Sequence, residues 1–132
     1  MANIAKILLI DDDVDFVSAT KTVLESKPYE IIVAHNGDEG LQKVKEEKPD
    51  LIIMDVIMPM KDGFTAAEQL EKDPEFGKIP VIMLTAFSEM GGESSIPASA
   101  GRTLETEDYI SKPVAPEELL RRVAVHLKKV GI

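Results

Sequence analysis

Four short apolar runs each stop at a residue able to bind a cation or a phosphoryl oxygen. Ile7 to Ile10 is followed by Asp11, Asp12 and Asp13, Leu51 to Met54 by Asp55, Val81 to Leu84 by Thr85, and Tyr109-Ile110-Ser111 by Lys112. Carboxylates gathered within a few ångströms repel one another and raise each other's pKa unless a cation lies among them. Mg2+ suits such a cluster, because it takes hard oxygen ligands in near-octahedral geometry, typically one or two carboxylates plus a phosphoryl oxygen, and keeps several waters. Asp12 and Asp55 could supply two of those ligands, with Asp11 holding a metal-bound water. The Thr85 hydroxyl and the Lys112 ammonium suit the oxygens of a transferring phosphoryl group, whose charge must be neutralised and held in place. Taken together, the set reads as phosphoryl transfer.

The elements that must position these groups follow from the runs themselves. Unalternated stretches of Ile, Leu and Val are what strands buried on both faces require, which points to a parallel sheet covered by helices. A fifth run, Glu30 to Ala34, ends at His35 and Asn36. Between the runs the apolar spacing turns helical. Phe16, Ala19, Thr20, Val23 and Leu24 form one face between Val14 and Lys27, Leu41 and Val44 mark a helix from Asp38 to Lys48, and Phe64, Ala67 and Leu70 mark one from Asp62 to Lys72. The last helix opens with Pro116, Glu117 and Glu118, carries a stripe of Leu119, Leu120, Val123, Ala124 and Leu127, and closes on Lys128, Lys129 and Gly131, each suited to its end of the helix dipole. Asp13 is placed to cap the first helix. Strands alternating with helices through right-handed crossovers make an α/β, doubly wound parallel sheet, and ligands of such sheets bind beyond the carboxyl ends of the strands. That rule collects Asp11, Asp12, Asp55, Thr85 and Lys112 into one crevice.

Composition narrows the function classes. The chain has 132 residues, 44% hydrophobic and 30% charged, which predicts a single globular domain spanning 1–132. Zero cysteines exclude a disulfide scaffold, a thiolate zinc site and a cysteine nucleophile. A net charge of −9 argues against electrostatic binding of nucleic acid or anionic membrane. No apolar run exceeds four or five residues and MANIAK offers no signal-peptide core, so a cytoplasmic location and no membrane insertion are expected.

The segments ILLIDDD, LIIMDVIMPMKDG, VIMLTA and YISKP resemble, in order and approximate spacing, the receiver domains of two-component response regulators, of the CheY type. The resemblance covers nearly the whole chain, and the four motifs together are far more specific than any one. It implies a flavodoxin-like, five-stranded sheet in the order 2-1-3-4-5. It also implies that Asp55 is the phosphoacceptor and that Asp11 and Asp12 are the acidic pair, with the Ile57 backbone carbonyl completing the protein's Mg2+ ligands. Thr85 and Lys112 would contact the phosphoryl oxygens and Ala86 would leave room for them. Pro59 and Gly63 match the turn after the acceptor, and Pro113 implies a cis Lys112-Pro113 bond. Thr85 and Tyr109 match the family's switch pair, although Tyr109 reads equally well as a packed strand aromatic. The partners implied are a sensor histidine kinase or histidine phosphotransfer protein as donor and a downstream protein target, with no direct contact to nucleic acid. No effector domain follows Ile132 within this sequence, so protein binding is the expected output.

Two features depart from or qualify this pattern. The stretch between Thr85 and Tyr109 carries Gly91-Gly92, Pro97 and Gly101, and has Glu105 where receivers carry Gly. This predicts that the helix between the fourth and fifth strands is weak or replaced by a long loop, with at most a short helix around Ala98 to Leu104. In the family, the residues two beyond the acceptor and two beyond the threonine flank the path of hydrolytic water; here they are Ile57 and Phe87, which cannot orient one, so self-dephosphorylation is expected to be slow.

Rival readings remain on the same residues. Asp11 and Asp13 also form D-x-D after an apolar strand, resembling the first motif of haloacid-dehalogenase-type phosphatases, with Asp11 as nucleophile and Asp13 as acid-base. A receiver-like module that binds partners without phosphorylation is a third class. An EF-hand fails at once, because Phe16 and Thr22 stand where Gly and Glu are needed. His35 and His126 show no metal-ligand spacing and are assigned to the surface or a helix face; Met54, Met58, Met60, Met83 and Met90 are assigned to core filling or loops.

Overall fold

Strand residues alternate faces, so an apolar run without alternation supplies two cores at once. In the computed structural model, which describes residues 4–56, 63–85 and 107–131, this is what the central strands do. β1 (Lys6–Ile10), β2 (Glu30–Ala34), β3 (Leu51–Asp55), β4 (Val81–Thr85) and β5 (Glu107–Ser111) form one parallel sheet in the order β2-β1-β3-β4-β5. Leu8, Ile10, Ile52, Met54 and Met83 point to one face, where α2 (Gly37–Glu47) and α3 (Gly63–Glu71) add Val44, Ala66, Ala67 and Leu70. Ile7, Leu9, Leu51, Ile53, Ile82 and Leu84 point to the other, against Val17 and Leu24 of α1 (Val14–Leu24) and Leu119, Val123 and Leu127 of the last helix (Pro116–Lys129). The expected doubly wound fold and strand order are both present. Met54 and Met83 are fully buried, as core filling requires.

Several boundaries differ from the periodicity. α1 stops at Leu24 rather than continuing to Lys27, because the Glu25 and Ser26 N–H groups close its last turn and Pro28 follows. α2 starts at Gly37, one residue early, because Asn36 is the cap: its Oδ1 accepts the Glu39 N–H at 2.8 Å while Glu39 Oε1 accepts the His35 N–H at 2.9 Å. It ends before Lys48, which turns left-handed at φ 50°. α3 runs from Gly63 to Glu71, inside the expected Asp62 to Lys72. β5 begins two residues ahead of Tyr109, at Glu107, whose charge and that of Asp108 hid the strand. The expected loop over 86–106 and its short helix, with Ile57, Pro59, Ala86 and Phe87, lie outside the described residues. Among the described residues, no helix is long and apolar enough to cross a membrane.

His126 lies on a face of the last helix, one of the two places expected for it, and that face is the buried one. It is only 9% exposed, and its Nε2 lies 3.0 Å from Asp108 Oδ2. Arg122 donates to the same oxygen at 2.8 Å and to Glu118 at 2.7 Å, tying β5 to the last helix. Burial works to raise the Asp108 pKa, but the His126 and Arg122 hydrogen bonds outweigh it and hold the carboxyl below its ordinary value. A depressed carboxyl contributes stability that is present above its unfolded pKa, about 3.9, and lost as pH falls through the lower folded value. Asp108→Asn is therefore expected to cost about 1 kcal/mol at neutral pH and nearly nothing once the wild-type carboxyl is protonated, read by urea unfolding at pH 7 and at acid pH.

Candidate functional site

The parallel sheet delivers the chemistry to one edge. Asp11 follows β1 directly, Asp55 is the last residue of β3, Thr85 the last of β4, and Lys112 follows β5. The ladder keeps these ends level: Ile10 pairs with Met54, Asp55 with Leu84, and Thr85 with Ser111. Beyond the strands, the Asp11 N–H bonds to the Ala34 carbonyl at 3.1 Å and the Val56 N–H to that of Leu84 at 2.9 Å, so the backbone carrying both aspartates is fixed.

Asp11 is fully buried, Asp55 is 9% exposed and Asp12 faces solvent. One carboxylate oxygen from each of the three lies within 4.8 Å of the others, as oxygens sharing a small divalent cation must. The expected acidic cluster is thus assembled from β1 and β3. Lys112 completes it: its ammonium donates to Asp11 Oδ2 at 3.1 Å and to Asp55 Oδ2 at 3.2 Å. Burial works to lower the Lys112 pKa, but the Asp11 hydrogen bond and the charges of Asp55 and Asp11 outweigh it and hold the ammonium above the ordinary lysine value. The mutual repulsion expected of the three carboxylates is therefore partly offset, and the excess negative charge falls on exposed Asp12.

Two observations separate the rival uses of the first motif. Asp13 Oδ1 accepts the Phe16 N–H at 3.0 Å, so Asp13 is the cap of α1, as its position predicted. Asp11 is occupied on both oxygens, with Oδ1 accepting the Asp13 N–H at 3.0 Å and Oδ2 bound to Lys112. A buried, doubly engaged carboxylate is poorly placed for nucleophilic attack. Asp55 lines a cavity of about 740 Å3 together with Asp12, Asp13, Phe16, Lys112 and Pro113. The Lys112-Pro113 bond is cis, as expected.

Tyr109 is half-buried and packs against the core cluster containing Met54 and Met83, and its N–H donates to Asp108 Oδ1 at 2.8 Å. The side chain of Thr85 and all of Ile57, Ala86 and Phe87 lie outside the described residues. The sequence reading missed the Asp108, Arg122 and His126 cluster and the aromatic neighbour of Lys112, the Phe16 ring, whose centroid is 4.2 Å from Nζ. His126 had a signal: it continues the Leu119 and Val123 stripe at helical spacing.

Comparison with known proteins agrees with this geometry. The family model of the response regulator receiver domain matches residues 7–124. The chain is 36% identical over 127 residues to the alkaline phosphatase synthesis transcriptional regulatory protein PhoP of Bacillus subtilis, covering 96% of this chain and 50% of that protein. It is 34% identical over 119 residues to protein PilH of Pseudomonas aeruginosa, covering 90% and 94% respectively. The chain thus spans about half the length of PhoP but nearly all of PilH. Among solved structures, the receiver domain of a Pseudomonas aeruginosa sensor histidine kinase, with a magnesium ion coordinated in its active-site cleft, superposes with a TM-score of 0.81 at 25% identity over 96% of this chain and 99% of that one.

Proposed function

This chain belongs to the response regulator receiver domain family, and from that premise we propose that it is an Mg2+-dependent phosphoacceptor switch that takes a phosphoryl group onto Asp55. The observation that carries the reading is the level placement of Asp55, Asp11, Asp12 and Lys112 at one end of the sheet, beyond β1, β3 and β5, with Asp55 among the residues that line the cavity. Asp55 is the nucleophile: one of its oxygens forms the new bond to phosphorus as the donor's bond to phosphorus breaks, and the donor's leaving atom departs with the electron pair. The donor is a sensor histidine kinase or a histidine phosphotransfer protein, in which the leaving atom is an imidazole nitrogen. Asp11, Asp12 and Asp55, with the Ile57 carbonyl, would hold Mg2+, which supplies charge neutralisation at the phosphoryl oxygens. Lys112, already over the acceptor, and Thr85 contact those oxygens, with Ala86 leaving them space.

Phosphorylation adds charge and acceptor oxygens that bias a two-state equilibrium, read through Thr85 and Tyr109 by a downstream protein. The reaction belongs in the cytoplasm, where histidine kinases meet their acceptors. The test is intact mass after incubation with acetyl phosphate: one phosphoryl group gained in Mg2+ and none in EDTA supports the reading, and no gain in Mg2+ overturns it. Lifetime follows from Ile57 and Phe87. Phosphoprotein freed of donor should decay slowly, and Ile57→Asn with Phe87→Glu should speed decay without preventing uptake, as followed by mass over time; wild-type decay within seconds, unaltered by the double substitution, would refute this account of the kinetics.

A further inference from the structure

We propose that Phe16 is a positioning residue for Lys112, holding the ammonium over the acceptor through the face of its ring; this rests on the phosphoacceptor reading above. Phe16 stands in the first turn of α1, and the Asp13 cap accepts its backbone N–H at 3.0 Å, so the ring is anchored at its base. It is half-buried against the core cluster that contains Val17 and Leu119 and lines the same cavity as Asp55 and Lys112. The Lys112 Nζ lies 4.2 Å from the ring centroid, inside the range of about 6 Å over which the negative face of an aromatic ring attracts a cation.

Among the described residues the ammonium therefore has three partners of two kinds: carboxylate oxygens of Asp11 and Asp55 at 3.1 and 3.2 Å, and a π-face. The distinction matters for the reaction. Any cation taken up by Asp11, Asp12 and Asp55 competes with Lys112 for the same negative charge, whereas the ring's quadrupole is not neutralised by it. A lysine stem has wide rotamer freedom and a strongly hydrated head, so an ammonium released by the carboxylates would otherwise swing into water. The ring leaves it a partner at the site, 4.2 Å from Nζ. Leucine at position 16 would cover the stem but offer no π-face; tyrosine would offer both.

The experiment has two arms. By NMR of the metal-free protein, ring current should shift the Lys112 ε-methylene protons upfield in wild type and Phe16→Tyr, and the shift should vanish in Phe16→Leu. The initial rate of phosphorylation by acetyl phosphate in saturating Mg2+ should fall about three- to thirtyfold in Phe16→Leu, the range set by cation–π pairs from exposed to desolvated, and stay within about twofold of wild type in Phe16→Tyr. Acetyl phosphate, whose bond between phosphorus and oxygen breaks to release acetate, brings no donor protein to dock on α1, so protein–protein docking effects do not enter. Phe16→Met is the second apolar variant should Phe16→Leu fail to fold. An unshifted Lys112 in wild type, wild-type rates in the apolar variants, or equal slowing by leucine and tyrosine overturns the inference while the phosphoacceptor reading stands. Wild type that gains no phosphoryl group overturns both.

Discussion

Asp55→Ala should fold, bind no phosphoryl group, and show an unaltered mass after treatment with acetyl phosphate and Mg2+ under conditions that convert wild type. The expectation rests on the division of labour among the three carboxylates. Of the three, Asp55 is the one that both lines the cavity and is bound to Lys112. Asp11 is buried and engaged on both oxygens, and Asp12 has no part in the lysine clamp. Removing a nucleophile that nothing nearby can replace takes uptake below detection rather than merely slowing it. The fold should survive, because Lys112 keeps Asp11 as a partner and the cluster sheds one negative charge. If Asp55→Ala still gains a phosphoryl group while Asp11→Asn does not, the nucleophile belongs to the phosphatase-like motif and the receiver chemistry proposed here is wrong.

Saturating Mg2+ should raise the melting temperature of wild type, and Asp12→Ala should remove that response while melting higher than wild type in EDTA. Lys112 partly neutralises Asp11 and Asp55, which leaves exposed Asp12 as the carboxylate whose charge is least compensated by the protein. A ligand that binds only the native state stabilises by RT ln(1 + [L]/Kd), about 2.7 kcal/mol at a concentration 100 times Kd. For a domain of this size that is a rise of roughly 8 °C. Losing Asp12 removes a ligand and a repulsion together, so its two effects have opposite signs in EDTA and in Mg2+. Calorimetric scans of both proteins in both buffers check this; superimposable wild-type scans would mean that the cluster binds no Mg2+ in solution.

What the sequence reveals about this fold depends on whether a residue's partners are repetitive or particular. The central strands were legible because burial on both faces writes Ile, Leu and Val without interruption, and the place where each run ends is also where its functional group begins. Asp11, Asp55 and Lys112 are therefore legible together in the sequence. β5 was legible only in its second half, since Glu107 and Asp108 do not look like strand. Asp108 is tolerated there because Arg122 and His126 reach it from the last helix, and such a pairing between distant segments leaves no local periodicity. The contact of Phe16 with Lys112 was hidden for the same reason: in the helix pattern Phe16 counted simply as one more apolar residue.

The pair of Asp11 and Lys112 joins residues 101 positions apart, and Lys112 follows the edge strand that the ribosome makes last. Synthesis thus releases the acidic residues long before the cation that balances them. A nascent chain that has laid down β1 to β4 carries Asp11, Asp12 and Asp55 with no ammonium to clamp them, and closing so long a loop onto the edge is the late step in assembly. A chain whose translation stops before β5 cannot assemble the clamp, however well its earlier strands pair.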